Sequence, residues 1–122
     1  MSKAEARQIL IVEDEILLSM HLEDLLTGMG HRVVACVAHL QEALRAATQT
    51  NIDFAFLDIN LGGDLSFPVA AILRRRNIPF VFATAYGIAG LSDEFRGTPI
   101  LQKPYDPREL ERVIAEACAI VG

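Results

Sequence analysis

A doubly wound α/β fold, with a parallel sheet covered by helices on both faces, is the architecture this sequence predicts. Three observations carry it. Short, continuous apolar runs alternate with segments of helical period along the chain. Several of those runs end on acidic or hydroxyl residues. The length of 122 residues suits one domain, and 52% hydrophobic residues supply a sheet buried on both sides.

Residues 1 to 7 are polar and read as a frayed start to a single domain spanning 1–122. Ile9 to Val12 is a short apolar run, the pattern of a buried parallel strand, and it stops at Glu13, Asp14 and Glu15. The period then changes. Leu18, Leu22, Leu25, Leu26 and Met29 fall on one face of a helix, with Gly30 placed to end it. The valine-rich stretch Arg32 to Val37 predicts a second strand, and Leu40, Ala43, Leu44 and Ala47 a second helix. Phe54 to Leu57 is a third buried strand that ends on Asp58. A loop centred on Gly62, Gly63 and Asp64 follows. Ser66 is placed to cap a third helix, with Pro68 in its first turn and Val69, Ile72 and Leu73 facing inward. Ile78 to Ala83 forms a fourth strand ending on Thr84.

Between Tyr86 and Thr98 lie only 11 residues, Gly87 to Gly97, three of them glycine. A mean helix alone takes about 11–12 residues, so the fourth helix is expected to be short or irregular. Thr98 to Leu101 is a fifth strand. Asp106, Pro107 and Glu109 form a strong helix start, and Leu110, Val113, Ile114, Ala117 and Val121 give that helix its apolar face.

The bulk properties exclude several classes. A net charge of -5 argues against general nucleic-acid affinity, which needs a basic face. No apolar stretch reaches membrane-spanning length, and no leader is visible, so the expected location is the cytoplasm. Cys36 and Cys118 are expected to be small core residues in a reducing compartment.

In a parallel sheet the strand ends share one edge. Glu13, Asp14, Asp58, Thr84 and Lys103 are thereby brought around one pocket. Three clustered carboxylates repel one another unless a hard cation such as Mg²⁺ joins them. A carboxylate beside Mg²⁺ (Mn²⁺ is an alternative) can attack a phosphoryl donor and form an acyl phosphate. The three phosphoryl oxygens then need neutralising, and Lys103 and Thr84 are the partners available.

The segments Ile11-Val12-Glu13-Asp14-Glu15, Leu57-Asp58-Ile59-Asn60-Leu61, Thr84-Ala85 and Lys103-Pro104-Tyr105 resemble the receiver domains of two-component response regulators. The likeness covers nearly the whole chain. It implies a five-stranded sheet of order 2-1-3-4-5. It also implies Asp58 as phosphoacceptor and Asp14 as direct Mg²⁺ ligand, with Glu13 acting mainly through metal-bound water. Asn60 would donate its backbone carbonyl, and Thr84 and Lys103 would hold the phosphoryl oxygens. The implied partner is a sensor histidine kinase or histidine phosphotransfer protein, the implied state a monomer or weak dimer. Pro79 to Tyr86 is similar to the PFxFATGY signature of the FAT GUY receivers, with Ala85 in place of glycine. One departure concerns Ile100, which stands where ordinary receivers carry an aromatic switch residue. Tyr86 is then the candidate output residue, with packing as its even alternative, and Tyr105 reads first as a packing residue, near the expected partner surface. The turn at Lys103–Pro104 is expected to be cis.

Each residue also has a plainer reading. Glu13 and Asp14 suit a helix start, Thr84 a strand end, and Lys103 a solvated loop. Arg74, Arg75 and Arg76 read as a solvated helix end, and His21, His31 and His39 as surface or structural residues. Two other functions compete. A small Mg²⁺-dependent phosphohydrolase also uses a strand-end Asp, but haloacid-dehalogenase-like enzymes need an acid where Asn60 stands. A degenerate receiver would bind partners without being phosphorylated. With the last helix running to the end of the chain, a stand-alone module is expected, signalling by protein contact or onward phosphotransfer rather than acting on a metabolite.

Overall fold

The computed structural model describes residues 6–49, 51–85 and 91–121. In chain order the elements are β1 (Gln8–Val12), α1 (Ile16–Gly28), β2 (Arg32–Val37), α2 (Leu40–Gln49), β3 (Phe54–Asp58), β4 (Asn60–Leu61) and β5 (Asp64–Leu65). Then come α3 (Phe67–Arg75), β6 (Phe80–Thr84), a 3-10 turn (Asp93–Phe95), β7 (Ile100–Gln102) and α4 (Pro107–Val121).

The main sheet has the order β2-β1-β3-β6-β7, and every neighbouring pair is parallel. With the small β4–β5 hairpin set aside, this is the predicted 2-1-3-4-5 order. The chain steps outward from β1 to β2 and then returns to β3 on the other side. The crevice at the carboxyl ends of β1 and β3 is therefore the place where such sheets bind ligands.

Alternation along the strands divides the core in two. Leu10, Val12, Ala55, Leu57, Phe80 and Phe82 face Ala43 and Ala47 of α2 and Val69, Ala70 and Leu73 of α3. Ile9, Ile11, Phe54, Phe56, Val81 and Leu101 face Leu22 and Leu26 of α1 and Leu110, Val113 and Ile114 of α4. A side-chain period of two thus commits each strand to both layers at once.

Several local expectations are corrected. The glycine loop is a hairpin: Asn60 pairs with Leu65 and Leu61 with Asp64, in antiparallel register. Gly62 and Gly63 turn it with φ of 63° and 108°, and the Asn60 Oδ1 accepts from the Gly63 N–H at 2.6 Å. Ser66 begins α3 through its carbonyl, which accepts from Val69 and Ala70; its hydroxyl makes no cap and is buried without a partner. Cys36 is exposed on the edge strand β2, because a lateral strand has helix cover over only part of its length, and Cys118 is half-buried. Between β6 and β7 the described residues form only the 3-10 turn, in agreement with the short span available.

Other details follow the charges. Asp106 accepts from the Arg108 N–H at 2.9 Å, while Glu109 pairs forward with Arg112 at 2.7 Å instead of closing a capping box. Arg74 and Arg76 are not merely solvated. Arg74 donates to the Glu94 carbonyl at 3.2 Å, and Arg76 donates to the Ala47 carbonyl. His31 is buried and accepts from the Arg7 N–H at 3.1 Å, so the last residue of the expected frayed start is already tied down; residues 1–5 lie outside the described part.

Candidate functional site

Strand register sets the site. Val12 pairs with Leu57, Asp58 with Ala83, and Thr84 with Gln102. Glu13, Asp58, Thr84 and Lys103 consequently leave the sheet at one edge, beside a cleft of about 400 Å³ lined by Asp14, Asp58, Asn60, Thr84 and Lys103 among others. Carboxylate oxygens of Glu13, Asp14 and Asp58 lie within 4.8 Å of one another.

Lys103 joins the acids. Its ammonium lies 2.8 Å from Glu13 Oε1 and 3.4 Å from Asp58 Oδ2. The Lys103 N–H donates to the Thr84 carbonyl at 3.0 Å, and the Lys103–Pro104 peptide bond is cis. Glu13 is held on both oxygens. Oε2 accepts from the Glu15 N–H at 3.1 Å, while Oε1 also accepts from the Tyr105 hydroxyl at 3.3 Å.

The electrostatics follow from crowding. Burial, then the Glu13 charge, push the Asp58 carboxyl up to about 7, with Lys103 opposing. Burial alone would lower the Lys103 ammonium, but its hydrogen bond to Glu13 and the charge of Asp58 outweigh that and raise it. The Tyr105 phenol is pushed far up by burial and by Glu13 and Asp58, so it remains a donor. Two buried carboxylates therefore share one ammonium. This surplus of hard oxygen donors, with Asp14 at the mouth, fits a small divalent cation.

The predicted site residues fall into three groups. Glu13, Asp14, Asp58, Thr84 and Lys103 converge. Asn60 lines the same cleft, its side chain committed to the hairpin turn. Ile100 is removed from the acids: it is half-buried, pairs with Phe82 and packs toward α2 and α3. Tyr86 lies outside the described residues. Tyr105 is buried with its hydroxyl on Glu13 rather than at an outer surface.

Sequence reasoning missed an apolar rim. Ile16, Leu17 and Met20 are 74%, 77% and 57% exposed at the start of α1, directly after the acidic triplet. Leu65 is exposed too and lines the cleft. The signal was present: Ile16 and Met20 are four apart and lie off the face defined by Leu18 and Leu22.

Residues 9–115 match the family described as response regulator receiver domain. Over 117 residues the chain is 35% identical to the phyllosphere-induced regulator PhyR of Methylorubrum extorquens; the match covers 92% of this chain and 43% of PhyR. The chain thus spans less than half the length of that curated relative. The solution structure of SdrG from Sphingomonas melonis Fr1 superposes with a TM-score of 0.79 at 43% identity, covering 99% of this chain and 98% of SdrG. A solution structure of the BeF3-activated conformation of SdrG, from Pseudomonas melonis Fr1, gives a TM-score of 0.78 at 41% identity over 91% of this chain and 95% of that one.

Proposed function

This chain belongs to the response regulator receiver domain family, and from that membership we propose that it is a phosphoryl-accepting switch of a two-component phosphorelay, with Asp58 as the acceptor. The observation that supports this most directly is the Lys103 ammonium bridging Glu13 at 2.8 Å and Asp58 at 3.4 Å beside an open cleft. Asp14 and Asp58, supported by Glu13 and the Asn60 carbonyl, would hold Mg²⁺. Bound there, the cation would neutralise the surplus carboxylate charge and the incoming phosphoryl oxygens.

The residues of the chain divide the remaining work. An Asp58 oxygen attacks phosphorus, forming an acyl phosphate as the P–N bond of a donor phosphohistidine breaks; the leaving imidazole regains a proton from solvent. Lys103 supplies a positive charge to a phosphoryl oxygen, and Thr84 at the end of β6 supplies its hydroxyl to another. The exposed Ile16, Leu17, Met20 and Leu65 offer a donor protein an apolar surface beside the reacting oxygens. That donor is a sensor histidine kinase or a histidine phosphotransfer protein in the cytoplasm. The BeF3-activated form of SdrG, a relative with a beryllofluoride mimic of a phosphoryl group, supports the same chemistry here. The Pro79 to Ala85 sequence supports placement among the FAT GUY receivers, with output through protein contact or onward phosphotransfer. A phosphohydrolase of the dehalogenase type is disfavoured because Asn60, whose Oδ1 is occupied by the Gly63 N–H, offers no second acid.

Incubation with acetyl phosphate and Mg²⁺ is expected to add one base-labile phosphoryl group. Asp58→Asn should abolish it. Full labelling of that variant would overturn the assignment.

A further inference from the structure

Tyr105 follows the lysine by two residues, and its ring is fixed. It is 6% exposed and packed in the core layer of α1 and α4. A ring held this way places its hydroxyl at a set point, and that point is Glu13 Oε1. Lys103 uses the same oxygen and lies closer to it than to Asp58, at 2.8 against 3.4 Å.

This sharing bears on how Lys103 becomes available. Glu13 is 4% exposed, and a buried carboxylate stripped of its donors is strongly disfavoured. To serve a phosphoryl oxygen on Asp58, the ammonium must loosen its grip on Glu13. The Glu15 N–H stays on Oε2, and among the donors to Glu13 from the described residues Tyr105 is the one left on Oε1.

Resting on the phosphoacceptor reading above, we propose that Tyr105 is a positioning residue: its hydroxyl holds Glu13 Oε1 when Lys103 leaves it for the phosphoryl group. No bond to Tyr105 forms or breaks; the phosphoryl group passes from the donor to an Asp58 oxygen. The role needs the hydroxyl, not only the ring, so a phenylalanine at 105 would fill the core and fail at this task.

The test uses the full chain with acetyl phosphate and Mg²⁺. Tyr105→Phe keeps the ring and should lower the maximal phosphorylation rate about tenfold, with the apparent KM for acetyl phosphate moving less than about twofold. In a Glu13→Gln background the same change should add less than about twofold, because the partner charge is gone. Before any donor is added, the Tyr105 hydroxyl proton should appear as a slowly exchanging NMR resonance that Glu13→Gln removes. A Tyr105→Phe chain as fast as wild type, an equal loss in both backgrounds, or no such resonance in wild type overturns the role alone. A wild-type chain that takes up no phosphoryl group overturns the phosphoacceptor reading, and this role with it.

Discussion

The two sides of the sheet are covered by different means. One side carries α1 and α4, of 13 and 15 residues, whose leucines and valines seat on β1, β3 and β6. The other carries α2 and α3, of 10 and 9 residues, and, among the described residues between β6 and β7, a three-residue 3-10 turn. That turn still closes the core, because it delivers one fully buried ring. Phe95 stacks on Phe67 with centroids 5.5 Å apart and meets Phe82 edge-on at 5.6 Å. The Arg74 guanidinium covers it at 4.4 Å and ties down the turn through the Glu94 carbonyl. The difference teaches that a core requires apolar area in the right place rather than a helix as such; one aromatic side chain can bury about 150–250 Å².

The largest expected effect would break this comparison at its centre. Phe95→Ala should cost about 3–5 kcal/mol, as much as Leu110→Ala on the helical side, for which about 2–5 is expected. Chemical denaturation measures both. A loss below about 1 kcal/mol at Phe95 would mean that the turn is not the closing element.

Charge, not cover, governs the edge that the two sides share. In metal-free buffer the folded chain keeps the Asp58 proton up to about pH 7, whereas an ordinary carboxyl in the unfolded chain loses it near 3.8. Below both values protonation is equal; between them the folded state binds more protons, so stability falls as pH rises from about 4 to about 7. Asp58→Asn should flatten that slope and raise metal-free stability at pH 8 by about 2 kcal/mol, the full shift being discounted for solvent in the cleft. Added Mg²⁺ should stabilise the wild type more at pH 8 than at pH 5. Thermal melts across this range provide the check, and a stability that rises from pH 4 to 7 would contradict it.

Ile100 sharpens the comparison at the thinly covered strand. It is only half-buried against the α2 and α3 layer. Ile100→Ala should cost about 1–2 kcal/mol, below the fully buried range, and leave labelling by acetyl phosphate intact. Loss of labelling with retained stability would give Ile100 a signalling role instead. Arg74→Ala is the mildest test. Removing an exposed cation–π contact should cost about 0.5–1 kcal/mol, read as a small shift in the denaturation midpoint, with no change expected for Arg75→Ala.

Most of the fold was legible because apolar periodicity is local. The strands begin and end within about two residues of expectation, and the acids at positions 13, 14 and 58 could be placed on one edge without coordinates. The hairpin at Asn60–Leu65 was also legible in principle: paired glycines between short flanks are a turn signal. It was missed because strands of two residues carry no alternation to read. The exposure of Cys36 was not legible in the strand's own apolar pattern; only the implied order 2-1-3-4-5 put that strand at the sheet edge.

By itself, then, the sequence determined the alternation of strand and helix, the short span left for a fourth helix, and the residue types gathered at the strand ends. These depend on neighbours in the chain and on the handedness and parallel pairing that such alternation imposes. Only the tertiary structure decided that Phe95 closes the core against Phe67 and Phe82, that Arg74 crosses to cover it, that Lys103 rests nearer Glu13 than Asp58, and that Tyr105 shares the same oxygen. Each of these is a contact between side chains far apart in sequence. Its geometry is set by how whole layers pack, and no local pattern records that distance.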